Sequence, residues 1–126
     1  MKKKKLEYKN LAKNISHSAL RHWWHQKLSA ILMIPLLIWL LINLPTFLYL
    51  SFEKKIQWVN NTTNFFFLMC FFLIASYHMK LGLTVVLEDY IHNSSLKRFL
   101  LKMLEIFTLT LVVLIMVLIA IFFRRI

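Results

Sequence analysis

Residues 65–90 read FFFLMCFFLIASYHMKLGLTVVLEDY. The run from Phe65 to Leu87 is apolar and interrupted by His78 and Lys80. About 20 such residues carry a helix across the hydrocarbon core of a bilayer. Working outward, two further runs meet the same criterion. Leu28 to Leu50 holds 23 residues without a formal charge, and Ile106 to Phe123 holds 18. Leu101 to Glu105 extends the last of these into the interface. The pattern predicts an all-α integral membrane protein. Its three transmembrane helices, near 28–50, 65–87 and 102–123, form an up-down-up bundle.

Composition excludes the competing classes. The chain has 126 residues, of which 60% are hydrophobic and 17% charged, with a mean hydropathy of +0.64. A soluble domain carries about a quarter charged residues, so a soluble enzyme is not expected. A disordered tail is equally unexpected, because there is too much apolar surface to bury. One cysteine rules out an internal disulfide framework and a multi-cysteine zinc site.

The formal charge of +11 suggests nucleic acid until the basic residues are placed. Eight of them, Lys2, Lys3, Lys4, Lys5, Lys9, Lys13, Arg21 and Lys27, precede the first apolar run. Three more, Lys97, Arg98 and Lys102, follow the second run, against two (Lys54, Lys55) after the first and two (Arg124, Arg125) at the end. Basic residues flanking spans mark the cytoplasmic side and attract anionic lipid. The N-terminus is therefore expected on the cytoplasmic or matrix side, and the partner of the charge is the membrane surface, with no nucleic acid. Residues 1–27 read as a basic interfacial segment and 28–126 as a three-helix anchor domain. The first run is too long, and starts too late, for a signal peptide, and the segment before it is poorer in Arg and Ser than a mitochondrial presequence and not amphipathic.

The second run carries the chemistry. An ionisable side chain inside a span is a functional hypothesis by default. The plainer reading is a neutral His78 hydrogen-bonded to a neighbouring helix. Gly82, the one glycine of the chain, lies about 40° from His78 on a helix. Glycine costs helix stability, so its use suggests that a helix or a flat macrocycle approaches the backbone there. Asp89 lies about 20° from the His78 direction and about 16 Å along the axis, followed by Tyr90. A buried imidazole near a glycine suits an axial haem ligand. A phenol at the interface can donate a hydrogen bond to a carbonyl.

The stretch His78-Met79-Lys80-Leu81-Gly82 through Glu88-Asp89-Tyr90 resembles the second helix of the small membrane-anchor subunits (the cytochrome b small subunits) of succinate dehydrogenase, respiratory complex II. The segment His22-Trp23-Trp24-His25-Gln26-Lys27, leading into Ser29-Ala30 and an apolar helix with Pro35, resembles the entry to that family's first helix. The resemblance covers roughly residues 20–125 and implies specific roles. His78 would be one axial ligand of a b-type haem shared with a second anchor subunit, the cytochrome b large subunit. Tyr90 would hydrogen-bond a ubiquinone carbonyl, with Asp89 as its neighbour in the quinone site. Gly82 would allow close packing near the haem. Lys27 and Lys80 stand where the family often has arginine and would pair with haem propionates, without the bidentate fork of arginine. Trp23 would lie at the quinone mouth. The partners implied are the second anchor, an iron–sulfur subunit and a flavoprotein subunit. The location implied is the mitochondrial inner membrane or a bacterial cytoplasmic membrane.

Each role has a plainer counterpart. Lys80 lies about 200° from His78 on a helix and suits snorkelling or a pair within the bundle. Lys27, Trp23, Trp24 and Tyr90 suit interfacial anchoring. His17, His22, His25 and His92 have no metal spacing, and Cys70 and the methionines suit apolar filling. A small haem protein of another oxidoreductase would keep His78 without needing Asp89-Tyr90. A non-redox three-span protein would use His78 and Lys80 for packing or a pathway. No dinucleotide fingerprint or cysteine cluster is present, so the chain has no means of oxidising succinate alone.

Overall fold

Inside a bilayer each backbone N–H and C=O needs a partner within its own segment, which leaves a lipid-exposed apolar run the α-helix. A computed structural model of the chain has this form. Helix α1 runs Lys2–Tyr49, α2 Phe52–Asn60, α3 Thr62–Tyr90 and α4 Ser94–Arg125. The backbone is described for residues 2–125 and the side chains for residues 20–124. The side chains of Lys2 to Lys13 and of His17 lie outside the described residues. Three helices are long and apolar enough to cross a membrane: Leu20–Tyr49, Thr62–Tyr90 and Ser94–Arg124. No strand occurs among the described residues. The protein is a multi-pass helical membrane protein.

Both connections between the apolar runs are largely helical. Residues 52–60 form α2, in which Phe52, Ile56 and Val59 recur at helical spacing. Residues 94–101 belong to α4, whose start is capped by Asn93: its Oδ1 accepts from the Ser95 and Leu96 N–H groups at 3.0 and 3.1 Å. Asn61 does the same for α3, accepting from Thr63 and Asn64. α1 continues through Pro35 and Pro45.

α3 is the middle of the molecule, packed against α1, α4 and α2. The surface is inverted relative to a soluble protein. Ile31, Ile38 and Ile42 of α1, and Phe107, Leu114 and Met116 of α4, are exposed, as lipid contact requires. Buried positions among the described residues are few, and half of them are hydroxyls: Ser29, Ser76 and Thr108 beside Met69, Leu104 and Ile115. Lipid tails offer no hydrophobic force between helices, so small residues that allow close approach decide where helices meet. Their hydroxyls are satisfied locally. Ser76 Oγ donates to the Phe72 carbonyl at 2.7 Å, and Thr108 Oγ1 to the Leu104 carbonyl at 2.7 Å. Leu104, Thr108 and Ile115 fall within about 40° of one another on α4. Thr108→Val is expected to change bundle stability by less than about 1 kcal/mol, because the side chain keeps its shape. Thr108→Leu overfills the same contact and is expected to cost about 1–3 kcal/mol. Unfolding in mixed detergent micelles measures both.

At the end remote from the basic N-terminus, aromatic rings tie α2 to the spans. Trp39 stacks on Trp58 and Phe67, with centroids 5.9 and 5.0 Å away, and Phe47 tilts against Trp58 at 5.0 Å. Asn64 Nδ2 donates to the Trp58 carbonyl at 3.0 Å. Phe65 of α3 stacks flat on Phe122 of α4 at 3.9 Å. Rings at this level suit the head-group region. They fix the far end of the molecule and leave the other end to polar contacts.

Candidate functional site

The long-range polar contacts of the spans converge on α1 and α3. Ser29 is 4% exposed, and its Oγ lies 2.9 Å from the Gln26 carbonyl and 2.9 Å from His78 Nδ1. A hydroxyl has one proton, and a carbonyl can only accept. That proton therefore goes to Gln26, one helical turn back, as serines in helices commonly arrange. The contact to the imidazole then requires Nδ1 to carry a hydrogen and donate it to Ser29 Oγ. The neutral ring with its proton on Nδ1 has a free electron pair on Nε2. The hydrogen bonds among the described residues include none to that Nε2.

One turn further along α3, Gly82 is uncovered. A Cβ built there would meet nothing within 4 Å. The approach that glycine permits is therefore made by nothing among the described residues. A half-buried imidazole with a free nitrogen, and a bare stretch of helix on the same face, suit a flat macrocycle coordinated from one side. No group of three or more His, Cys, Asp or Glu able to hold a metal occurs among the described residues. His78 belongs to no such group.

Beside this contact, Tyr77 Oη lies 2.8 Å from His25 Nδ1, with the rings edge to face at 6.2 Å. His25, Ser29 and Tyr77 line a small open cavity of about 260 Å³. A larger, apolar cavity of about 500 Å³ lies between α3 and α4 at the opposite end, lined by Phe65, Met69, Cys70, Ile119 and Phe122. His22 Nε2 is enclosed without a hydrogen-bond partner among the described residues.

The other residues singled out in the sequence are spread along the molecule. Tyr90 ends α3 and is 75% exposed. Asp89 is also exposed, in no ion pair among the described residues. An acid in the last turn of a helix faces the negative end of its dipole, so Asp89 does not serve the stability of α3. The carbonyl of Glu88, in the last turn of α3, instead accepts from Lys97 Nζ at 2.9 Å. Lys27 folds back over Trp23, its Nζ 4.5 Å from the ring centroid, a cation–π contact. Lys80 is half-buried and in no ion pair among the described residues. Tyr90 lies twelve residues beyond His78, about 18 Å along the axis, while Trp23 lies six residues before Ser29, about 9 Å. The structure joins His78 to α1 through Ser29. Ser29 and the His25–Tyr77 pair were not singled out as site residues. Each is a contact between positions about 50 apart in sequence, for which a small polar residue opening an apolar run is the faint signal.

Three apolar helices, with an imidazole tethered between two of them and an uncovered glycine on the same face, define a small helical membrane protein. The family model of the succinate dehydrogenase/fumarate reductase transmembrane subunit matches residues 2–117, and the chain belongs to that family. It is 30% identical over 120 residues to a succinate dehydrogenase hydrophobic membrane anchor subunit of Rickettsia bellii (strain RML369-C), covering 90% of this chain and 86% of that protein. It is 28% identical over 75 residues to a succinate dehydrogenase membrane anchor subunit of Reclinomonas americana. That second match covers 57% of this chain and 62% of the relative, less than two thirds of its length. No solved structure matches the chain.

Proposed function

We propose that this chain is the small membrane anchor of a succinate:ubiquinone oxidoreductase, and that it supplies one axial ligand of a b-type haem and part of the ubiquinone pocket. The observation that carries the haem reading is the Ser29–His78 contact, which leaves Nε2 as an electron-pair donor within the bilayer. Uncovered Gly82 supports it by leaving room for a macrocycle. A haem bound there supplies a one-electron carrier inside the membrane. Lys27 and Lys80 offer positive charge for its propionates. The second ligand belongs to the larger cytochrome b anchor, and the succinate chemistry to flavoprotein and iron–sulfur subunits docked on the basic face. The excess of basic residues before the first span and after the second supports a cytoplasmic or matrix location for that face.

At that face, Tyr90 presents its phenol as a hydrogen-bond donor to a quinone carbonyl. Asp89, in no ion pair among the described residues, is available to hold a partner's guanidinium or to pass a proton toward the reduced quinone. The chain with its partner subunits, purified from native membranes in mild detergent, tests the reading. A dithionite-reduced minus oxidised spectrum with a b-type band supports the haem, and co-purifying flavin and iron–sulfur subunits support the complex. Absence of both overturns the assignment. Tyr90→Phe removes a single neutral hydrogen bond, with a net contribution of about 1 kcal/mol. It is expected to lower kcat/KM for quinone roughly fivefold while leaving succinate oxidation by an artificial acceptor unchanged. An unaltered quinone rate would remove Tyr90 from the site.

A further inference from the structure

We propose that Ser29 is a positioning residue for the metal-binding imidazole: by accepting the Nδ1–H of His78 while donating its own proton to the Gln26 carbonyl, it sets both the tautomer and the ring orientation that ligation needs. The inference rests on the haem reading above and goes beyond it in assigning the control of the ligand to α1.

The geometry favours one arrangement of protons. Ser29 Oγ is 2.9 Å from both partners. One partner, a carbonyl oxygen, only accepts. The hydroxyl proton is committed to it, and the remaining contact is with a lone pair on Oγ, so Nδ1 is the donor. If the imidazole proton sat on Nε2, the Ser29 hydroxyl would have to turn from the Gln26 carbonyl to Nδ1, giving up the 2.9 Å bond to that carbonyl, and the ring's electron pair would be spent on Ser29. The bond is also sheltered. Ser29 is 4% exposed, which limits the access of water to the contact.

The bond crosses between helices. His78 belongs to α3 and Ser29 to α1, 49 positions apart. The ring therefore cannot turn about its own side chain without losing its one described hydrogen bond. A donor bond from Nδ1 also raises the basicity of Nε2, which strengthens the ligand and favours ferric over ferrous iron. The same contact thus acts on haem retention and on reduction potential, two quantities that packing alone would not move together.

The test uses the assembled complex with wild-type Ser29, Ser29→Ala, Ser29→Thr and Ser29→Cys. Haem per flavin, a potentiometric titration of the b-type band and the low-spin ferric EPR spectrum are read for each. Ser29→Ala is expected to retain haem on the order of tenfold more weakly, with the remaining haem at a more positive potential and with altered g-anisotropy. Ser29→Thr restores all three. Ser29→Cys, a weak acceptor of similar size, falls between and keeps the comparison open if the alanine variant fails to assemble. Ser29→Ala or Ser29→Cys with wild-type potential and EPR spectrum overturns the proposal alone. A wild-type complex that assembles without any b-type band overturns the haem reading and this proposal with it.

Discussion

Replacing His78 with alanine removes the b-type haem from the assembled complex, lowering haem per flavin by at least about 100-fold. The magnitude follows from what outer partners do: loss of a residue that only orients a ligand already costs about 10–100-fold in metal affinity, and removing the ligand itself costs more. The chain should survive the change. His78 contributes one cross-helix bond, to Ser29, and such bonds in bilayers average about 0.6 kcal/mol. The buried contacts of α4 through Leu104, Thr108 and Ile115 are untouched. Co-purification of the flavin-bearing partner and a reduced-minus-oxidised spectrum separate the two effects. A complex that assembles, keeps flavin and retains the band in His78→Ala places the iron on another residue.

Gly82→Leu produces the second large effect, and its sign depends on the assembly state. Among the described residues nothing fills the space a side chain at residue 82 would enter, and exchanging glycine for a better helix former favours the helix by about 0.8–1 kcal/mol. The isolated chain should therefore insert as well as wild type, with equal or greater helicity by circular dichroism. In the complex the same side chain occupies the space left for the neighbour. An overfilled close contact costs about 1–3 kcal/mol, occasionally more, so haem content or anchor pairing is expected to fall roughly tenfold or further. Gly82→Ala should show the smaller version of both effects. Normal assembly and haem content in Gly82→Leu would show that the bare face meets only lipid.

The fold was legible because bilayer physics leaves few choices. Phe65–Leu87 has to be a helix once it is in lipid, and the charge-free runs on either side follow the same rule. Helix α2 was not legible. Its nine residues are too few to hold a helix alone in water, and it forms because Trp58 finds Trp39 and Phe47 on the adjoining span. Nothing within residues 52–60 announces those partners.

The candidate site divides in the same way. The sequence by itself determined that His78 is an ionisable group within a span, that Gly82 shares its face, and that Asp89 and Tyr90 fall at the end of the same helix, because all of these follow from the pitch of one helix. Only the tertiary structure decided which nitrogen of His78 is free and whether Gly82 is covered. Both depend on α1 and α3 lying side by side, with Ser29 level with His78. It also decided that Lys27 rests on Trp23. Register within a helix is set by local geometry. Register between helices is set by which small residues allow close approach, and no periodicity along one chain segment encodes that.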